Sequence, residues 1–108
     1  MSQALLVCTA ASWQIPRTLA LQIIERDQQC IYCRHVFISP FTVRASCPSW
    51  EHIVNDLSLI NLENIGLCCV SCNASKGKKP LTVWLQSPYC EARGITRSSI
   101  ASVARNTL

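Results

Sequence analysis

The spacing of apolar residues changes several times along this 108-residue chain, and each change marks an expected element. Residues 1–15 show no clear period and predict no definite element. From Pro16 to Arg26, the positions Leu19, Ile23 and Arg26, with Leu21 and Ile24, predict a helix. Pro16 suits its first turn, where a backbone N–H has no partner to lose. Cys30 to Cys33 reads as a tight turn. Residues 36–54 are β-branched or aromatic in places (Val36, Phe37, Ile38, Phe41, Val43, Ile53, Val54), which predicts short strands broken by Pro40 and Pro48. Leu57 to Asn64 reads as a loop and Ile65 to Leu67 as a short extended piece. A short helix is expected over 70–76, ended near Gly77. Another is expected over Pro80–Gln86, stopped by Pro88, and a last one over Thr96–Arg105. The expected class is α+β and strand-poor, in one domain spanning 1–108, with a helical extension over 81–108.

Composition narrows this. A hydrophobic content of 49% excludes a disordered chain, and only three glycines argue against a turn-rich barrel. A chain this short buries only about two-thirds of its unfolded surface, so a covalent or metal staple is expected. The net charge of +4 is uneven: residues 1–73 carry four basic and five acidic side chains, residues 74–108 six basic and one acidic. A basic end suits a polyanionic partner, although a merely soluble surface would look the same. No apolar run is long enough to cross a membrane. The apolar stretch Ala4–Cys8 is short, with no Lys or Arg before it, and makes a poor export signal. A cytoplasmic setting with reduced cysteines is therefore expected, favouring metal ligation over disulfides.

Eight cysteines are present, and two CxxC pairs stand out: Cys30-Ile-Tyr-Cys33 and Cys69-Val-Ser-Cys72. Two thiolates three residues apart on a tight knuckle can face one ion, and two such knuckles complete a soft tetrahedron that suits Zn²⁺. With all four positions taken by protein sulfur, such a site is structural. Cys68 is an alternative to Cys69 with poorer spacing. Cys8, Cys47 and Cys90 read as plain buried thiols. Four cysteines also admit iron, but Arg34 and Asn73 follow the knuckles where rubredoxin-like sites usually carry glycine.

Between the knuckles lies Trp50-Glu51-His52-Ile53-Val54, and Asn64 stands five residues before Cys69. The second knuckle runs into Asn73-Ala-Ser-Lys76-Gly77-Lys78-Lys79. Taken singly, each is weak: a structural histidine, a solvated acid, a turn asparagine, a wet lysine run. Together, Glu51-His52, Asn64 and Cys69-Val-Ser-Cys72-Asn73-Ala-Ser-Lys76-Gly77 resemble the acid–His, Asn, CxxC-N-x-x-K-G pattern of HNH (ββα-metal) endonucleases. Arg26-Asp27-Gln-Gln-Cys30-Ile-Tyr32-Cys33 is similar to that family's opening. The resemblance covers roughly residues 16–80, with its motif core at about 26–80. Two departures stand out. The acid is Glu51 where Asp is usual, and the first knuckle continues into Arg34-His35 where Gly is common.

The resemblance implies a ββα-metal core with two zinc knuckles and flanking helices. It implies a DNA endonuclease that nicks one strand per active site with low sequence specificity, as a monomer or homodimer of bacterial or phage origin. His52 would be the general base and Asn64 a structural residue orienting it. Glu51 and Asn73 would hold a catalytic Mg²⁺ or Mn²⁺, while Cys30, Cys33, Cys69 and Cys72 hold structural Zn²⁺. Lys76 would contact phosphate, with Lys78 and Lys79 extending a DNA-binding face. His35, the only other histidine, is a rival base or a phosphate contact. The competing readings are a non-catalytic zinc-stapled nucleic-acid-binding module, a protein-interaction zinc domain and a redox protein.

Overall fold

A computed structural model describes residues 2–108; Met1 lies outside the described residues. Two helices come first, α1 (Ser2–Ser12) and α2 (Arg17–Arg26). An irregular stretch follows, containing one 3₁₀ turn at Arg44–Ser46. Then come strands β1 (Pro48–His52) and β2 (Ile65–Cys69), and helix α3 (Val70–Lys76). Short helices α4 (Leu81–Trp84), α5 (Pro88–Arg93) and α6 (Ser102–Arg105) close the chain. The class is α+β, as the sequence predicts. The radius of gyration, 12.8 Å, is that of one packed body of this length.

The two strands form an antiparallel hairpin with Ser49 opposite Cys68, Trp50 opposite Leu67 and Glu51 opposite Gly66. Because successive side chains alternate, the hairpin serves two cores. Trp50, Ile65 and Leu67 pack with Leu6, Ala10, Ile15, Ala20 and Ile23 of the first two helices. Cys68, on the opposite face, and Cys69, where β2 passes into α3, join a second core with Ile31, Tyr32, Ile53, Leu81, Trp84, Ile95 and Ile100. The C-terminal extension is therefore the lid of the second core.

A two-stranded sheet is marginal alone, and here side chains complete its outer edge. The Asp27 carboxylate accepts from Leu67 N–H (3.0 Å), and Ile31 N–H donates to Leu67 O (3.1 Å). Arg26 donates to Ile65 O (2.7 Å) and Leu62 O (2.6 Å) while paired with Asp27. The Arg26-Asp27 pair thus clamps β2 to the end of α2.

Several expectations change. Residues 2–12 are helical although they lack a period, because Leu5, Leu6, Val7, Ala10 and Ala11 place apolar surface on several sides of the helix. Trp50 holds this helix by donating its indole N–H to Leu6 O (2.9 Å). Residues 36–47 are not the expected strands: Val36, Ile38 and Val43 are exposed, and only the bridge from Gln29 to Val36 pairs there. Pro88 does not simply stop a helix. It occupies the first turn of α5 under a Ser87 cap. The expected helix over 96–105 is reduced to Ser102–Arg105, since Thr96 and Ser99 spend their hydroxyls on a local turn. Cys8 is exposed and Cys47 half-buried; of the three spare thiols only Cys90 is buried as expected.

Gly66 is required by space. A Cβ there would lie 2.8 Å from Ile31 Cδ1 and 3.3 Å from Asp27 Oδ2, and both residues are held inside the fold. Gly66→Ala is expected to destabilise by about 1–3 kcal/mol, measured as a lower denaturant midpoint with an unchanged slope.

Candidate metal centre and the polar group on the hairpin

The sulfurs of Cys30, Cys33, Cys69 and Cys72 all lie within 4.8 Å of one another. The Cys33 and Cys69 sulfurs are 3.8 Å apart, close to the edge of about 3.8 Å expected for a tetrahedron of zinc–sulfur bonds. Backbone geometry prepares the sulfurs for negative charge. Tyr32 N–H and Cys33 N–H donate to Cys30 Sγ (both 3.4 Å), and Cys72 N–H donates to Cys69 Sγ (3.3 Å). Arg34, where glycine is common in the resembling family, has φ 68°, the left-handed region that lets the first knuckle close. Cys68 lies outside the group, its thiol near Ser49 Oγ on the hairpin face.

Four thiols this close cannot all ionise alone. Hydrogen bonds from Cys30, then Cys69 and Cys72, pull the Cys33 thiol far down, whereas bonds involving Cys30 and Cys33 push Cys69 and Cys72 up. A divalent cation removes that conflict, so the four-cysteine group can hold a structural metal such as zinc. Tyr89 and Arg93, which the sequence reading did not single out, add to this site. Tyr89 O–H donates to Cys72 Sγ (3.3 Å), and the Arg93 guanidinium lies 3.6 Å above the Tyr89 ring. His35 lines a cavity of about 390 Å³ beside these residues, with Cys33 and Cys69, which Glu51 and His52 do not touch.

The hairpin carries the second polar group. Glu51 is only 5% exposed, and both of its close contacts fall on one oxygen: Tyr32 O–H at 2.6 Å and Lys76 Nζ at 3.1 Å from Oε2. Burial raises the Glu51 carboxyl, and Lys76 and Tyr32 offset part of that. Burial, followed by the charge of Glu51, holds the Tyr32 phenol well above its ordinary value, so it remains a donor. Lys76 is fully buried. This corrects its expected place on the exposed DNA-binding face: one turn beyond Asn73, α3 points its side chain inward against β1. Lys78 and Lys79 are exposed, as expected of a basic surface.

His52, at the end of β1, is 9% exposed, and its Nε2 is buried with no hydrogen-bond partner among the described residues. Burial lowers its pKa, and Lys76 lowers it further against the pull of Asp56, so the imidazole is neutral near pH 7. Its ring lies 6.1 Å from that of Trp13. Asn73 reaches back from α3 and donates to Ser49 Oγ (2.9 Å) and Trp50 O (3.1 Å), beside Glu51. Asn64 closes the 53–64 connection. It accepts from Val54 N–H (2.7 Å) and donates to Val54 O and Leu59 O (both 3.1 Å), which holds the backbone just beyond His52. A larger cavity of about 640 Å³, between Leu6, Ile24, Phe37 and Phe41, includes none of these residues except the clamp residue Asp27.

No protein-family model matches the chain, and no curated protein or solved structure matches it. Among the described residues, no helix is long and apolar enough to cross a membrane.

Two outcomes are expected. Titration with Co²⁺ should give one equivalent of thiolate-to-metal absorption, lost in Cys30→Ser and Cys72→Ser but kept in Cys68→Ser. Lys76→Met should destabilise by about 3 kcal/mol, because it strands a buried carboxylate, and Glu51→Gln in the same chain should recover much of that. Thermal melts of the wild type, the two single variants and the double variant check it.

Proposed function

We propose that this protein is a metal-dependent DNA endonuclease of the HNH (ββα-metal) kind. The observation that carries the reading is the buried His52 Nε2 without a partner, on the strand that also bears Glu51 and receives Asn73. A buried, unpaired imidazole nitrogen costs free energy unless something docks against it. Water poised to attack a phosphodiester is the natural partner of such a neutral base. The hairpin followed directly by α3 supports the same reading, as do the motif residues that the fold gathers there.

The donor set suits a hard cation. Tyr32 and Lys76 engage Oε2 of Glu51, leaving Oε1, and Asn73 offers a side-chain carbonyl. Glu51 and Asn73 would hold Mg²⁺ or Mn²⁺, whose charge would supply electrostatic stabilisation to the phosphoryl group. His52 takes a proton from water through Nε2, and burial keeps it in the neutral form this needs. The water oxygen bonds to phosphorus as the bond to the 3′ oxygen breaks. The 3′ oxygen takes a proton from solvent and His52 gives its proton back to solvent, so the products are a 5′-phosphate and a 3′-hydroxyl. Asn64 fixes the backbone on which His52 stands, and the Lys76 ion pair fixes the Glu51 carboxylate. Lys78 is exposed beside Val54 and Asn55, just past His52 in the chain, where a backbone phosphate can meet it.

Incubation with supercoiled plasmid and Mg²⁺ or Mn²⁺ is expected to give open circles first. His52→Ala should lower the rate by at least about a hundredfold while leaving DNA binding intact. Binding without cleavage under every divalent cation would overturn the reading in favour of a zinc-stapled nucleic-acid-binding module. Linear product appearing at the start would point to paired active sites in a homodimer.

A further inference from the structure

Trp13 lies outside the motif region, yet the fold sets it beside His52. Of the three tryptophans, Trp84 is fully enclosed and Trp50 nearly so, while Trp13 is 49% exposed. The end of α1 fixes its place. Gln14 takes φ 62°, Gln14 N–H returns to Ala11 O and Ile15 N–H to Ala10 O (both 3.0 Å). This turn buries Ile15 in the first core and leaves the preceding indole at the surface. A non-glycine residue in that conformation costs about 1 kcal/mol. The Trp13 and His52 rings are tilted by 59°, with centroids 6.1 Å apart, so the indole is not stacked flat on the imidazole. A broad apolar ring therefore stands half in water near the His52 ring, whose Nε2 has no partner among the described residues. Val54, two residues beyond His52, is exposed as well, with Lys78 beside it.

Resting on the nuclease reading, we propose that Trp13 is a stacking platform for an unpaired base beside the phosphate at His52, so that the preferred substrate is DNA with a single-stranded segment at the cleavage point. Inside a duplex both faces of every base are covered by neighbours. A flat side chain can stack only on a base that has left that pile. An aromatic face beside a cation that can track the backbone is the combination that binds single strands with little sequence preference. Trp13 acts here as a substrate-binding residue and not as a catalytic one.

The test uses tryptophan emission without added divalent cation, titrating the wild type with an oligothymidylate of roughly a dozen nucleotides and with a fully paired hairpin. Trp50 and Trp84 are buried, so quenching reports Trp13, while their emission reports the fold in every variant. The single strand is expected to quench strongly and the paired hairpin little. Trp13→Ala, its binding read from the anisotropy of an end-labelled oligothymidylate, should bind the single strand roughly tenfold more weakly than the wild type, with Trp13→Phe in between. Equal affinity of Trp13→Ala for the single strand, or equal quenching by the paired hairpin, overturns the proposal. Plasmid cleavage measured alongside separates the two readings. Cleavage that persists while Trp13 proves idle removes only the platform, and quenching without cleavage under any divalent cation removes only the nuclease. Failure to bind either DNA, with no plasmid cleavage under any divalent cation, overturns both.

Discussion

Four sulfurs join the turn at residues 30–33 to the junction of β2 and α3, and the rest of the molecule is arranged around that joint. A two-stranded hairpin and a seven-residue helix are each too small to persist alone. The cysteine group ties them to the segment that follows α2, closing a loop of chain that would otherwise be entropically expensive. Cys69 ends the strand and caps the helix, its sulfur accepting from Cys72 N–H. The direction of α3 is therefore set at the four-cysteine group. Everything α3 carries, Asn73 over β1 and Lys76 against Glu51, inherits its position from there.

The interior is unusually polar for so small a core. Asp27, Glu51, His52, Asn64 and Lys76 are all buried. Most are answered: Asp27 by Arg26 and the edge of β2, Asn64 by the loop it closes, Glu51 by Tyr32 and Lys76. A buried ion pair adds little net stability, but removing one partner is costly, so such pairs hold a geometry more than they strengthen a fold. Lys76 Nζ lacks a hydrogen-bond partner too but has the Glu51 carboxylate 3.1 Å away, whereas among the described residues nothing answers His52 Nε2. Where local rules are broken inside a structure that otherwise satisfies them, function is the usual reason.

The departures from the resembling family acquire a physical sense. Glu51 carries one methylene more than aspartate, which suits a carboxylate that must reach Tyr32 and Lys76 in the interior. Arg34 adopts the backbone conformation that glycine would take more easily. The C-terminal extension supplies Leu81, Trp84, Ile95 and Ile100 to the core over the knuckles, and Tyr89 to the Cys72 sulfur.

The sequence by itself determined what spacing and local chemistry can determine. Two CxxC knuckles implied one soft metal site because a three-residue step turns two thiols toward the same point. The helices starting after Pro16 and ending at Gly77 were readable from proline and glycine, whose backbone limits are intrinsic. Asn64 as a loop-tying residue was also within reach, through the resemblance. Tertiary structure decided the rest. An all-round apolar segment such as residues 2–12 has no period, so only packing against Trp50 and α2 reveals its inner face. Residues 36–47 have strand-like composition, but no neighbouring strand offers them hydrogen bonds. Lys76 reads as a surface cation beside Lys78 and Lys79. A buried carboxylate brought opposite it from a distant strand turns it inward, and no pattern along one strand or one helix encodes that meeting.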